Sequence, residues 1–128
     1  EVRFRSKCPV ASTLDLLGDK WTLIVVRDLL FGKRKYSELE ASFEKIPTNL
    51  LADRLRKLER YELISKEPYQ TNPVRHEYRL TEKGKDLVPV LRAISRWGEK
   101  HIEGRWIVVG DSDSKHNSSA KEKAKKTK

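Results

Sequence analysis

Residues 48–80 read TNLLADRLRKLERYELISKEPYQTNPVRHEYRL, and the spacing of the apolar residues changes in the middle of this stretch. Leu51, Leu55 and Leu58 recur at three- and four-residue intervals, the mark of one buried helix face. Ile46-Pro47 breaks any helix arriving from upstream, and Thr48 is a good N-cap, so the sequence predicts a helix from Thr48 to about Tyr61. Past Glu62 the pattern turns extended. Ile64–Tyr69 and His76–Leu80 predict two strands, and the turn formers of Gln70–Arg75 predict a longish basic loop between them.

Working upstream, Tyr36, Leu39 and Phe43 are spaced for a shorter helix, with Lys33-Arg34-Lys35 as an extended link before it. From about Lys20, Trp21-Thr-Leu-Ile-Val-Val-Arg-Asp-Leu-Leu30 is apolar on nearly every side and predicts a central, buried helix stopped by Gly32. Trp21 reads as core rather than as a ligand platform. Pro9 opens a first helix with Val10, Leu14 and Leu17 on one side, and Gly18 closes it. Downstream, Thr81 can cap a last helix in which Leu87, Leu91, Ile94, Trp97 and His101 share a face, with Pro89 marking a kink or a restart. Three helices, a turn, a fourth helix and then a hairpin describe a winged helix-turn-helix, mainly α with a small β-hairpin. The expected organisation is an arm over residues 1–7, this domain with its terminal helices over 8–109, and a Lys/Ser-rich tail over 110–128 that is flexible in isolation. Trp106-Ile-Val-Val109 is apolar but too short to assign.

The formal net charge is +9 over 128 residues. The tail from residue 111 holds six Lys and three acids, so +6 stays on residues 1–110. A basic folded body suits a phosphate-bearing partner, although many soluble domains carry a few extra lysines. One cysteine excludes a disulfide framework within the chain. No apolar run approaches the roughly 20 residues that span a bilayer, and nothing at the start reads as a signal sequence, so cytoplasmic residence is expected, with no membrane partner.

Several stretches together resemble the HxlR family of bacterial and archaeal regulators. They are Cys8-Pro-Val10, Leu14-Asp-Leu-Leu-Gly18, Lys20-Trp-Thr-Leu23, Tyr36-Ser-Glu-Leu39, Leu51–Leu55 with Arg54, Leu58-Glu59, Leu63-Ile64, Glu77-Tyr-Arg-Leu-Thr-Glu-Lys-Gly84, Pro89-Val-Leu91 and Trp97-Gly98. The resemblance covers roughly residues 8–102. It implies a dimeric binder of double-stranded DNA related to the MarR regulators, often answering to a metabolite, an electrophile or an oxidant. It also implies a glycine near the turn before Leu63, where this chain has Tyr61-Glu62.

On a wheel of the fourth helix, Asn49, Asp53, Arg56 and Arg60 lie opposite the leucines, with Thr48, Ala52 and Lys57 flanking them. Asn pairs with adenine and Arg with guanine through two hydrogen bonds each, which makes Asn49 and Arg56 the first candidates for base contact. Thr48 and Lys57 are better placed for phosphates, and Arg54, nearer the core side, for an acidic neighbour. A solvated helix face is the competing reading, and the hairpin that follows argues against it. Arg75 and Asn72 are the wing candidates for a minor groove. Ser37 either donates to a phosphate or caps its own helix.

The terminal helices carry Val10, Leu14, Leu17, Leu91, Ile94 and Trp97, an apolar set that pairing two copies would cover. Cys8 sits beside Arg3, Arg5 and Lys7 at a helix start, where positive neighbours favour thiolate. In some members of the resembled family a cysteine at this place senses oxidants or electrophiles; packing at the dimer seam is the alternative. His76, His101 and His116 are scattered, and no phosphate loop, nucleophile elbow or metal-ligand spacing occurs, so neither an enzyme, a cofactor nor a metal is expected. Two other readings stay open: a winged-helix module that binds protein rather than DNA, and a thiol enzyme built on Cys8.

Overall fold

Leu51, Leu55 and Leu58 are sealed from solvent at 0%, 3% and 1% exposure, and the N-terminal unit is built around them. The computed structural model describes residues 3–105. In chain order the elements are α1 (Pro9–Leu17), α2 (Thr22–Leu30), α3 (Tyr36–Glu40), α4 (Thr48–Arg60), β1 (Ile64–Thr71), β2 (Val74–Leu80), α5 (Glu82–Lys85) and α6 (Val88–His101). The arrangement is that of a winged helix-turn-helix, with α3 and α4 as the helix pair and β1–β2 as the wing. The leucines of α4 join Val25, Val26 and Leu29 of α2, Leu39 of α3 and Ile64 of β1 in the core, each side chain contributing about 1.5–3 kcal/mol by its burial. The chain divides into two compact units, Glu1–Lys85 and Asp86–Lys128. That boundary lies inside the 8–109 span.

The helix-to-wing junction decides where the hairpin points. At the end of α4 the Leu63 N–H donates to the Leu58 carbonyl at 2.9 Å and the Glu62 N–H to the Glu59 carbonyl at 3.0 Å. This is a Schellman motif, and the buried Leu63 and Leu58 supply its apolar contact. Such a motif needs a left-handed residue, and Glu62 takes that conformation at φ 63°. The missing glycine is therefore not a missing turn; a glutamate bears the strain.

Downstream, the Thr81 N–H donates to the Leu63 carbonyl, and Thr81 Oγ1 donates to the Glu62 carbonyl while accepting from the Gly84 N–H. Gly84 lies so close to the Leu63 carbonyl that a Cβ would collide with it. The strands pair antiparallel from Ile64–Leu80 to Thr71–Val74, with one irregularity between Pro68 and Gln70. The basic link completes the sheet edge, because Lys35 bridges Glu77 and the Tyr78 N–H donates to the Arg34 carbonyl at 2.7 Å.

Four expectations are corrected. Thr48 is the first helical residue rather than the N-cap: Pro47, extended at ψ 141°, holds that position and its carbonyl accepts from Leu51. Phe43 is 90% exposed, because α3 ends at Glu40 and Ser42 takes the inward place. The wing loop is not long; both strands run on until Asn72-Pro73 alone turn the chain. Thr81 serves the short α5 rather than the last helix; α6 is separate, and Pro89 in its first turn marks the restart that the sequence offered. In the second unit Leu91 is buried, while Ile94 and Trp97 are exposed and the Trp97 ring lies 5.0 Å from that of His101, tilted by 45°. Residues 1–2, Trp106–Val109 and the 110–128 tail with His116 lie outside the described residues.

Two substitutions at the junction should act in opposite directions. Glu62→Gly relieves the left-handed strain and should raise the unfolding free energy by about 0.5–1 kcal/mol. Gly84→Ala should lower it by about 1–3 kcal/mol, since backbone must give way. Urea denaturation with unchanged m-values checks both; an unaltered Gly84→Ala midpoint would contradict the close approach.

Candidate nucleic-acid interface

The outer face of α4 is set by what holds the helix from beneath. The Asp19 carboxylate lies just before α2, where it accepts from the Trp21 N–H at 3.0 Å, the Thr22 N–H at 3.1 Å and the Thr22 hydroxyl. The same carboxylate takes Arg54 Nε at 2.7 Å and Lys57 Nζ at 3.5 Å from α4. Burial pushes the Asp19 carboxyl up. The hydrogen bonds from Thr22, Arg54 and Trp21 outweigh that and hold it well below the ordinary aspartate range. The expected acidic neighbour of Arg54 is thus Asp19. Lys57 is drawn to the same anchor and is half-buried, which leaves it less free for a phosphate.

A second clamp fixes the turn between α3 and α4. Arg27 forks onto Glu44 at 2.8 and 2.7 Å and also reaches the buried Asp28 at 2.9 Å, with Lys33 3.6 Å from Asp28. The Arg27 guanidinium holds the Glu44 carboxyl below its ordinary value. Before α3, the Glu38 carboxylate reaches back to the Arg34 and Lys35 N–H groups at 2.8 and 2.9 Å. Sequence reading missed Asp19, Arg27 and Glu44. Asp19, three residues before Thr22, was the one legible signal, since Asp favours helix starts.

On the outer face, Asn49, Asp53, Arg56 and Arg60 are all exposed and Ala52 is half-buried. Asp53 spans two arginines, at 2.5 Å from Arg54 and 3.9 Å from Arg56. Thr48 is exposed, but its Oγ1 lies 2.6 Å from the Tyr36 hydroxyl, which ties the start of α4 to α3. Ser37 is exposed, and its hydroxyl caps nothing among the described residues. Asn72 and Arg75 are exposed at the wing, Arg75 paired across the strands with Gln70.

Between α3 and the wing lies a cleft of about 450 Å³ lined by Tyr36, Ser37, Glu40, Tyr69, Val74, Arg75, His76 and Tyr78, with Pro73 at the wing turn. Lys35 Nζ stands 4.7 Å from the centre of the Tyr69 ring. Cys8 is exposed one residue ahead of α1. The arm before it is tied down by Arg5, whose N–H and Nε donate to Asp15 at 3.2 and 2.5 Å. No helix among the described residues is long and apolar enough to cross a membrane.

The profile of the HxlR-like helix-turn-helix family matches residues 16–105. An HTH-type transcriptional regulator of Mycobacterium tuberculosis is 39% identical over 93 residues, covering 73% of this chain and 58% of the relative. The chain therefore spans little more than half of that relative's length. The HTH-type transcriptional regulator YdeP of Bacillus subtilis is 42% identical over 94 residues, 73% of each chain. Among solved structures, the reduced transcriptional regulator YodB of B. subtilis superposes with a TM-score of 0.64 at 30% identity, over 83% of this chain and all of the other. The reduced redox regulator HypR gives 0.67 at 34% identity, over 73% and 92% of the two chains.

The Asp19 anchor has a pH signature. A carboxyl held below its unfolded value near 3.9 stabilises the fold fully above that pH and loses the contribution as pH falls below it. Asp19→Asn should therefore cost about 1–3 kcal/mol at pH 7 and flatten the acid limb of stability against pH. Urea titrations from pH 7 to 3 test this; parallel curves for the two proteins would remove the anchor.

Proposed function

The chain belongs to the HxlR-like helix-turn-helix family, and on that premise we propose that it is a transcriptional regulator that binds double-stranded operator DNA as a homodimer. The observation that carries this reading is the exposed polar face of α4 standing opposite a fully buried leucine stripe, with a hairpin wing directly after it. A helix so held presents Asn49 and Arg56 to base edges, with Ser37 and Thr48 to phosphates and Arg60 beyond Arg56. Arg75 and Asn72 on the tight wing serve the neighbouring minor groove. Lys57 contributes charge near the surface while remaining bound to Asp19.

Asn49→Ala and Arg56→Ala should each weaken specific binding by about 1–3 kcal/mol and relax preference at one base pair. Arg75→Ala should weaken binding with less loss of preference. The measurement is a titration of promoter-derived and random duplexes at several salt concentrations, where affinity should fall as salt rises. A flat response even at low salt would refute DNA binding. Intact discrimination in folded Asn49→Ala and Arg56→Ala would refute the orientation of α4.

The dimer reading rests on apolar side chains left open to solvent: Val10 and Leu14 on α1, and Ile94 and Trp97 on α6. Leu17 and Leu91 are already buried and have little area to add. A second copy covering the exposed set would make a symmetric interface. In the same reading Cys8, exposed next to α1 and ahead of the matched span, reports oxidation through that interface; its exposure is what supports this. In sedimentation the wild type should be dimeric at micromolar concentration, and Trp97→Asp should shift it toward monomer by burying an unpaired charge. Diamide should lower duplex affinity in the wild type and spare Cys8→Ser. A monomeric wild type would end the dimer reading, and equal diamide responses the thiol reading.

A further inference from the structure

The cleft between α3 and the wing has the size of a small-molecule site, about 450 Å³ against the roughly 300–1,000 Å³ such sites occupy. Its walls combine two chemistries. Tyr36, Tyr69 and Tyr78 supply aromatic surface, and Val74 adds an aliphatic side chain. Arg75 and His76 supply donors from one strand, and Ser37 adds a hydroxyl from α3.

The state of these groups separates them from the cations that clamp α4. Arg27 and Arg54 are committed to carboxylates, whereas the side chains of Arg75, His76 and Ser37 have no hydrogen-bond or ion-pair partner among the described residues. The Tyr69 and Tyr78 hydroxyls are equally unengaged there, while the Tyr36 hydroxyl is held by Thr48. Lys35 over the Tyr69 ring brings a further cation to the edge of the cleft. A planar guanidinium without a partner fits a carboxylate in fork geometry, and tyrosine faces fit a ring.

We propose that this cleft binds a small aromatic carboxylate, its ring against the tyrosines and its carboxylate on Arg75. Glu40, the one acid in the lining, disfavours ligands of higher negative charge. Ser37 and Arg75 also belong to the proposed DNA surface, so the test uses the protein without DNA and succeeds or fails independently of that reading.

Calorimetric titration of the full chain with 1-naphthoate should saturate with a Kd of about 1 mM or tighter, as expected for a ligand of that size. Arg75→Gln should weaken binding at least tenfold and Tyr69→Ala severalfold. Both positions are exposed, and unchanged thermal melts will show that the variants fold. Inorganic phosphate and neutral benzyl alcohol should not saturate. Amide chemical shifts of the wild type on adding 1-naphthoate should move around residues 35–40 and 69–78. Absence of saturation at about 10 mM, equal affinity for phosphate, undiminished binding in both variants, or shifts confined to α6 would each overturn the site.

Discussion

One carboxylate connects the start of the central helix to the helix that faces outward. Asp19 takes two backbone N–H groups and a hydroxyl at the entrance to α2, and from the other side the Arg54 guanidinium and Lys57 ammonium of α4. Such a bond network is worth more than an exposed ion pair, because the carboxylate and Arg54 are both largely withdrawn from water and Trp21, Thr22 and Arg54 all hydrogen-bond to the carboxylate. Its effect is geometric as well as energetic. The leucine stripe fixes which face of α4 is buried, but apolar contacts tolerate sliding and rotation. A directional bond from Arg54 sets the rotation, and with it the angle at which Asn49 and Arg56 stand.

The other constraints extend that registration. Arg27 grips Glu44 through both terminal guanidinium nitrogens and so fixes the turn leading into α4. The Schellman motif at Glu62 and Leu63 fixes the exit. Between a clamped entrance and a clamped exit, α4 and the wing behave as one presented surface. The close approach of Gly84 to the Leu63 carbonyl then fastens α5 beneath the junction. Function in such a surface depends on relative placement, so strain at Glu62 is tolerated where it sets the direction of the hairpin.

How much of this could be read from sequence depended on whether the signal was local. The stripe of α4, Pro9 at the first helix, the restart at Pro89 and an acidic partner for Arg54 were legible, because each follows from spacing or from one residue's backbone constraint. Phe43 was misjudged because apolar periodicity continued past the point where α3 ends, and only tertiary packing chose Ser42 for the interior. Thr48 looked like a cap because its chemistry suits one, yet Pro47 already supplied the extended residue and left the hydroxyl for Tyr36. The wing loop looked long since Gln70, Thr71 and Arg75 are ordinary turn-flanking residues; cross-strand pairing drew them into the ladder. The cleft was illegible, for its residues come from 36–40 and 69–78 and meet only in the fold.

The same distinction governs how charge should be read. A net of +9 says that cations are in excess but not which of them are available. Around α4, Arg54 and Lys57 are bound to Asp19, and Arg27 to Glu44 and Asp28. Their charges still shape the surrounding field, but their donors are engaged, and moving them to a phosphate would first break the contacts that hold α4. Arg56 is different: its single ion pair, with exposed Asp53 at 3.9 Å, is long and open to water, and such a pair is worth little. Arg60 and Arg75 are exposed and have no ion pair among the described residues. Around α4 and the wing, the cations that can exchange water for a ligand at low cost are therefore Arg56, Arg60 and Arg75. Availability, rather than the total count, sets these side chains apart from the cations that hold α4 in place.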